Sequence, residues 1–224
     1  MTAKDYKDFG LYAKDFGVSS MNMHYHAKKI ENSLTPYILE ERNMNMIQMD
    51  VFSRLMAERI IWVAGEVNDN MSVVTQAQLM FLDSLDNNDI TMHIDTGGGS
   101  VKSGLSMVDV MDYIKSDIRT INTGMAASMG SILLGAGTKG KRSSLRFSRT
   151  MLHQSSGGFR GNIQDAKIDM IEWEKLNNAL FDLLGGYCGK TRDQVKEDAS
   201  RDLWLSSEDA LAYGIIDEIV HKKS

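Results

Sequence analysis

The sequence predicts a single α/β domain, and three observations predict it. Short apolar runs recur along the chain and are separated by longer segments with helical periodicity. No proline-rich or Ser/Gly-rich linker interrupts the chain from residue 34 onward. The length of 224 residues, with 42% hydrophobic and 25% charged residues, is ordinary for one globular domain. Strands that alternate with helices favour parallel pairing through crossover helices.

The first elements are a helix, a strand and a second helix. Residues 50–58 carry apolar residues at the spacing of one helix face, and residues 60–63 are a continuous apolar run typical of a buried strand. Asn70 is expected to cap the next helix. The apolar residues expected on the inner face of that helix are Val73, Val74, Ala77, Phe81 and Leu85.

The next strand covers residues 90–94, where apolar and polar residues alternate. We expect the glycines at 97–99 to end this strand, and Ser100 to cap the helix that follows. The residues expected to face inward from that helix are Leu105, Val108, Met111 and Ile114.

The second half of the domain continues the alternation. The predicted elements are a strand over 118–123, a short helix over 127–134, strands over 145–147 and 150–153, and a long helix over 163–184. The apolar residues expected on one side of the long helix are Ile168, Ile171, Leu176, Ala179, Leu180 and Leu183. Thr191 and Ser206 begin capping-box patterns, and Gly214 is expected to end the last helix before residues 215–220 close the chain.

Composition and the first residues exclude several classes of protein. The formal net charge of −5 lacks the basic excess of a nucleic-acid-binding protein. A single cysteine, Cys188, excludes an intrachain disulfide and a multi-cysteine zinc site, and it fits a reducing compartment. The apolar runs are far shorter than the ~18 residues of a membrane span, and the first ten residues lack the apolar core of a secretory signal. We therefore expect a soluble, cytoplasmic protein without nucleic-acid or membrane partners.

The first 33 residues differ from the rest of the chain. They are polar, lack a clear period and contain the sequence Lys-Asp-Phe-Gly twice. We expect residues 1–33 to form a flexible extension or a removable propeptide, and residues 34–224 to form the domain. A tail without a role is the alternative.

The most informative chemical motif is a serine at the start of the short helix predicted over 127–134. Ser128 lies among glycine and alanine residues that are too small to cover it, and the start of a helix supplies backbone N–H groups. This environment suits a nucleophilic serine that generates an oxyanion. Close packing of small residues is the alternative explanation.

A nucleophilic serine needs a base and a carboxylate that orients the base. Among the five histidines, His153 ends an apolar strand just before a glycine-containing loop, although a buried structural histidine would look the same. Asp202 precedes an apolar run and a capped helix, but spacing alone does not select it from 30 acidic residues. His24 and His26 have no third ligand nearby, so we expect no metal site.

Three segments together resemble one known family. The segments GMAASMGS, MLHQ and RDLWLSSEDALAYGIIDEI are similar to the ClpP family of ATP-dependent serine proteases, as are DVFSRLMAERII, QAQLMFLDSLD and the glycine segment GGGSV. The resemblance extends from about Pro36 to Val220. It implies a ClpP/crotonase-like fold of repeated β-β-α units, with the long helix as a protruding "handle".

The resemblance also implies roles for individual residues. It makes Ser128 the nucleophile, His153 the general base and acid, and Asp202 the orienting carboxylate. The backbone N–H groups of Gly99 and Met129 would form the oxyanion hole, and no cofactor is implied. The residues implied to bind the substrate as an added strand are Gly98, Ser100, Val101, Ser155 and Ser156.

The implied assembly is a homo-oligomer of two stacked heptameric rings that encloses a chamber. An AAA+ unfoldase such as ClpX or ClpA would deliver unfolded polypeptides into it. Two positions depart from the family, because Gly97 and Ser155 stand where proline is usual. These departures leave open a catalytically weak ring subunit that acts as a scaffold, and the shared fold leaves open a crotonase-type acyl-CoA enzyme.

Overall fold

The computed structural model describes residues 37–42, 45–158 and 162–221, so the extension expected over residues 1–33 lies outside the described residues. The chain divides into two compact units, with the boundary between Arg54 and Leu55. The first unit contains an antiparallel hairpin of β1 (Tyr37–Arg42) and β2 (Asn45–Asp50). Helix α1 (Val51–Ala57) follows β2, and the boundary falls within it.

The second unit is built on a mostly parallel sheet, which has seven strands within the described residues. These are β3 (Ile60–Val67), β4 (Ile90–Gly99), β5 (Ile118–Ala127), β6 (Arg142–Leu145), β7 (Arg149–Leu152), β8 (Leu203–Leu205) and β9 (Glu218–Val220). The main order is β3-β4-β5-β6-β9, while β7 pairs with the end of β5 and β8 pairs with β7. Within the described part of this sheet the β7–β8 pair is antiparallel and the other five strand pairs are parallel, so the α/β class predicted from the sequence is confirmed.

Six further helices cover the described part of this unit. They are α2 (Asp69–Leu85), α3 (Val101–Tyr113), α4 (Met129–Gly135), α5 (Ile163–Cys188), α6 (Arg192–Asp198) and α7 (Ser207–Tyr213). Every residue of α4 is buried, and this short helix belongs to the core together with residues of β4, β5 and α3. The core therefore surrounds the segment that begins at Ser128.

The predicted helix caps are mostly confirmed. The hydroxyl of Ser100 accepts the backbone N–H of Ser103, and both predicted capping boxes are present at Thr191 and Ser206. The cap predicted at Asn70 is wrong, because Asn68 has the extended backbone of a cap and accepts the N–H of Met71. Asn70 lies within the first turn of α2.

The prediction that glycines end β4 is also wrong. Strand β4 continues to Gly99, because Gly98 pairs with Glu66 and Gly99 with Val67 after a shift of register. The φ angles of Gly98 and Gly99 are +94° and +149°, which residues with side chains rarely adopt. These glycines therefore bend the strand without interrupting its hydrogen bonding.

Other boundaries shift for local reasons. Strand β5 continues to Ala127, so α4 begins at Met129 and not at residue 127. The strand predicted over 145–147 is mostly wrong, because β6 covers Arg142–Leu145 and Phe147 lies exposed in the turn that follows. Strand β7 begins and ends one residue earlier than predicted, at Arg149 and Leu152. Helix α5 runs four residues past its predicted end, until Gly189 adopts a left-handed conformation.

The predicted inner face of α2 is wrong, and that of α5 is partly wrong. All five residues predicted to face inward from α2 are exposed, namely Val73, Val74, Ala77, Phe81 and Leu85. The buried residues of α2 are Ser72, Thr75, Leu79 and Leu82. On α5, Ile168, Ile171 and Ala179 are exposed, Leu176 and Leu183 are half-buried, and Leu180 is buried. Only the second half of α5 contributes buried residues, which leaves the exposed first half in the position of the expected handle.

Candidate active site

Two of the predicted site residues are brought together by the antiparallel β7–β8 pair. Leu152, the last residue of β7, is paired with Leu203, the first residue of β8. His153 follows β7 and Asp202 precedes β8, so the two residues face each other one step beyond the last pair. The register of this strand pair, and not their separation of 49 residues, places them side by side.

Ser128 reaches the same point through the parallel β5–β7 pair. Ala127, the last residue of β5, is paired with Met151, and the N–H of Ser128 donates to the carbonyl of Met151 at 2.9 Å. Ser128 and His153 therefore leave their strands at the same edge of the sheet. Functional groups in parallel sheets gather at this carboxyl edge.

The three side chains form a connected chain of contacts. The distance between Ser128 Oγ and His153 Nε2 is 2.8 Å, and that between His153 Nδ1 and Asp202 Oδ1 is 3.4 Å. The imidazole is 22% exposed and the carboxylate 62% exposed. The first distance permits direct proton transfer between the serine and the histidine, while the aspartate oxygen lies farther from the other ring nitrogen and is more exposed to solvent.

The backbone of Ser128 has an unusual conformation. Its φ and ψ angles are 54° and −122°, and Ser128 and Arg59 are the non-glycine residues with positive φ in the described part of the chain. The carbonyl of Ser128 accepts the hydroxyl and the N–H of Ser131, at 2.7 and 3.0 Å. These bonds hold a sharp turn from strand to helix, a backbone shape similar to the strained turn that carries the nucleophile of some serine hydrolases.

The glycines of β4 lie directly against this turn. A β-carbon at Gly98 would lie 2.7 Å from Ser128 Cβ and 3.0 Å from the nitrogen of Met129. A β-carbon at Gly99 would lie 2.3 Å from the carbonyl oxygen of Val67. The hydroxyl of Thr96 accepts the N–H of Gly98 at 3.0 Å, which fixes the glycine segment beside the serine.

A cavity of about 340 Å³ opens at the serine. Its polar and backbone lining comprises Gly97, Gly99, Ser128, Ser131, His153, Ser155 and Ser156. Its apolar lining comprises Val101, Met129, Ile132, Met151, Leu180, Phe181 and Leu184. Gly98 and Ser100 do not line it, since Gly98 lies behind the serine and the hydroxyl of Ser100 caps α3.

Sequence reasoning missed most of the apolar lining. Leu184 lies one turn after Leu180, and Phe181 lies next to Leu180. The helical periodicity predicted a buried face of α5, but it could not show that this face lines a cavity. Ile132 and Met151 likewise looked like ordinary core residues. Asn177, which binds Ser155 from the same helix, was also missed because a single asparagine in a long helix carries no distinctive signal.

Other reactive groups lie away from this site. Burial raises the pKa of the Cys188 thiol to about 11, so the thiol stays protonated and is a poor nucleophile at neutral pH. No cluster of three potential metal ligands occurs among the described residues. His24 and His26 lie outside them.

Comparison with known proteins identifies the family. A family model described as Clp protease matches residues 42–223, which is most of the chain and includes the whole site. The chain belongs to the Clp protease family. The Clp family resemblance seen in the serine, histidine and aspartate motifs is thereby confirmed.

Individual members of the Clp family are similar over nearly their full length. A Bacteroides fragilis protein is 46% identical over 218 residues, covering 96% of this chain and 99% of its own. A Bacteroides thetaiotaomicron protein is 45% identical over 218 residues with the same coverage, and a Porphyromonas gingivalis protein is 42% identical over 217 residues, covering 96% and 98%. Each is named "ATP-dependent Clp protease proteolytic subunit". Because the alignment covers 96% of this chain, it includes most of the first 33 residues, where no sequence motif resembled the family.

No helix in the described part of this Clp family member is long and apolar enough to span a membrane.

Proposed function

We propose that the chain is a serine endopeptidase, the proteolytic subunit of an ATP-dependent Clp protease. The observation that carries the proposal is the 2.8 Å contact between Ser128 Oγ and His153 Nε2 at the mouth of a cavity. Membership of the Clp family and the names of the relatives support it. If His153 had only a structural role, its hydrogen-bond partner would not need to be a serine with a strained backbone.

The mechanism is acyl transfer through the serine. His153 Nε2 takes the proton of Ser128 Oγ as that oxygen attacks the carbonyl carbon of the scissile peptide bond. Collapse of the tetrahedral intermediate breaks the C–N bond, and His153 returns the proton to the leaving amine. Water then attacks the acyl-serine with His153 again as the base, the bond between the acyl carbon and Ser128 Oγ breaks, and His153 returns the proton to Oγ as the acid is released. Asp202 stabilises the imidazolium that forms in each half.

The oxyanion of the intermediate is proposed to be bound by the backbone N–H groups of Gly99 and Met129. Both residues line the cavity with Ser128. Met129 is the first residue of α4, and the first N–H groups of a helix have no acceptor within it. Two such donors directed at the developing charge stabilise the transition state more than the ground state.

The lining of the cavity supports a substrate bound beside this centre. Val101 of α3 lines the cavity with Ser128, as do Ser155 and Ser156 of the segment after β7, and we propose that a substrate strand lies between these two segments. Leu180, Phe181 and Leu184 make the floor apolar. An apolar side chain next to the scissile bond fits this floor best.

We also propose the assembly and partners that the family resemblance implies. These are two stacked heptameric rings, an AAA+ unfoldase such as ClpX or ClpA, and unfolded polypeptides as substrates in the cytoplasm. The exposed apolar residues along the first half of α5 support subunit contacts through the handle; they are Ile163, Ile168, Met170 and Ile171. Residues 1–33 are proposed to be an extension or propeptide of the domain over residues 34–224.

The test is covalent labelling with a fluorophosphonate, which reacts only with an activated serine. We expect the wild-type chain to be labelled at Ser128 and to cleave peptides. Ser128→Ala should lose both, with a fall in cleavage of at least about 10³-fold because the nucleophile is absent. Ser84→Ala removes an exposed hydroxyl of α2 and is the matched control. Persistent labelling or cleavage in Ser128→Ala would refute the proposal.

A further inference from the structure

One face of α5 serves both the cavity and the segment that follows His153. Leu180 and Leu184 line the cavity. Asn177 and Trp173 lie on the same stripe, one and two turns before Leu180 respectively, since positions 173, 177, 180 and 184 differ by three or four residues. Both contact the segment after β7, so a single helix face controls the floor of the cavity and one of its walls.

Asn177 binds the wall at Ser155. Its Oδ1 accepts the backbone N–H of Ser155 at 3.0 Å and the hydroxyl of Ser155 at 2.9 Å. A backbone N–H can only donate, so the side-chain atom facing it is the oxygen. Asn177 therefore fixes both the main chain and the side chain of a residue two positions beyond His153.

Trp173 holds the same segment at two further points. Its Nε1–H donates to the hydroxyl of Ser155. A β-carbon at Gly157 would lie 2.1 Å from Cη2 of Trp173, so the indole ring covers the backbone of Gly157 closely. The hydroxyl of Ser155 thus lies between a donor from Trp173 and an acceptor on Asn177.

These contacts compensate for the lack of strand pairing beyond β7. The N–H of Gln154 donates to the carbonyl of Ala199 at 3.1 Å, and the bonds from α5 then anchor Ser155. Ser155 itself has no ring to restrict its φ angle. Side-chain hydrogen bonds from α5 supply the restraint that the local sequence lacks.

We propose that Asn177 is a positioning residue that holds the Ser155 wall of the groove in place for extended substrates. The inference rests on the proposed endopeptidase function and goes beyond it. Loss of Asn177 releases the wall but leaves the contact between Ser128 and His153, because His153 directly follows β7 and β7 pairs with the strand that ends before Ser128. Substrates that depend on the wall are then bound poorly, while small reagents that need only the serine still react.

The test compares two reactions in the variant Asn177→Leu, which keeps the size of the side chain but removes the acceptor. We expect kcat/KM for an extended fluorogenic peptide to fall about tenfold, mainly through a higher KM, because two hydrogen bonds to the wall are lost. The rate of fluorophosphonate labelling at Ser128 should stay within about twofold of the wild-type rate. Asn177→Asp retains an acceptor oxygen and should recover peptide cleavage.

Two controls separate positioning from a loss of folding. Asn178→Leu makes the same change on a different face of α5 and should match the wild type in both reactions. Trp173→Phe keeps an aromatic ring over Gly157 but removes the N–H, and should lower peptide cleavage in the same direction by a smaller factor.

The outcomes are distinct. A parallel fall of labelling and peptide cleavage in Asn177→Leu would show a structural role and overturn the inference, as would unchanged peptide cleavage. A wild-type chain that is not labelled at Ser128 overturns the proposed function itself, and the inference with it.

Discussion

At the scale of single residues, the site depends on two backbone conformations that side chains disfavour. Ser128 has a positive φ angle although it carries a side chain, and the neighbouring Gly98 has a positive φ angle at a point where a β-carbon would also collide with Ser128. Strain of this kind costs on the order of 1–3 kcal/mol at a residue such as Ser128. The surrounding hydrogen bonds hold the conformation, since the N–H and carbonyl of Ser128 both have partners in neighbouring segments.

Replacement of Gly98 tests how closely the glycine segment must approach the serine. In Gly98→Ala the new β-carbon would lie 2.7 Å from Ser128 Cβ, so either the serine or the glycine segment must move. We expect peptide cleavage and fluorophosphonate labelling to fall on the order of a hundredfold, as a displacement of about 1 Å in an active site does.

Gly140→Ala is the control for this change. Gly140 has a similar φ angle of +87°, but a β-carbon there would have no atom within 4 Å. Both variants therefore share the backbone strain of about 1 kcal/mol, and only Gly98→Ala disturbs the serine. Equal activities of the two variants would show that the contact with Ser128 is unimportant.

At the scale of helices, the local sequence predicted most capping residues correctly, but it predicted the buried faces less well. The cap of α2 is a useful case, because two asparagines lie within three residues of each other. Asn68 accepts the N–H of Met71 at 3.0 Å, whereas Asn70 lies inside the helix. A pattern search that looks for an asparagine before an apolar run finds both and has no basis for choosing between them.

The two asparagines therefore give a matched pair of stability variants. We expect Asn68→Ala to lower the free energy of unfolding by about 1 kcal/mol, because the orphan N–H of Met71 loses its acceptor. Asn70→Ala should be neutral or slightly stabilising, since alanine is the better residue inside a helix. Chemical denaturation of both variants measures the difference, and a larger loss in Asn70→Ala would contradict the assigned cap.

The faces of α2 and α5 could not be predicted because burial depends on partners outside the helix. Ser72 is buried on α2, where its hydroxyl donates to the carbonyl of Ser103 at 2.7 Å and lies 2.9 Å from the hydroxyl of Ser106. Polar residues that satisfy one another across two helices have no signature in the hydrophobic pattern of either helix. Exposed apolar residues such as Val73 and Phe81 also fit the helical periodicity, so the hydrophobic pattern wrongly assigns them to the buried face.

At the scale of the whole molecule, strand register decides which residues meet. The sequence alone could place Ser128 and His153 at the ends of apolar segments, because glycines and small residues follow each of them. It could not select Asp202, since the pairing of Leu152 with Leu203 that brings Asp202 to His153 is not a local property. Motif resemblance supplied that residue, and it also supplied Gly99 and Met129.

A buried ion pair joins distant parts of the chain behind this sheet. Arg142 of β6 is 3% exposed, and its guanidinium donates to both carboxylate oxygens of Asp217. It also donates to the carbonyls of Tyr187 at the end of α5 and Gly214 at the end of α7. The guanidinium of Arg142 therefore binds carbonyl oxygens at two helix ends and the carboxylate of Asp217 before β9. Removal of the negative charge of Asp217 should affect all of these elements together.

Asp217→Asn should reveal this role through the pH dependence of stability. Burial acts to raise the pKa of Asp217, but the hydrogen bonds and charge of Arg142 outweigh it, and the pKa of the folded state lies below its usual value. A lowered pKa stabilises the fold above the unfolded-state pKa of about 4, and this contribution is lost as the pH falls through the folded-state pKa. At pH 7 we expect the variant to lose about 3 kcal/mol, because Arg142 keeps its charge without a partner.

Denaturant unfolding at neutral pH and near pH 3 measures this difference. The gap between wild type and Asp217→Asn should shrink as the pH falls below about 4, because folding of the wild type must then release the proton that the unfolded chain binds at Asp217, whose pKa is lowered in the folded state. Asp182→Asn breaks the exposed pair with Arg192 and provides the control, for which a much smaller change is expected since solvent screens that pair. A gap that stayed constant from neutral to acid pH would show that the charge of Asp217 contributes nothing, and that the lost stability came from packing alone.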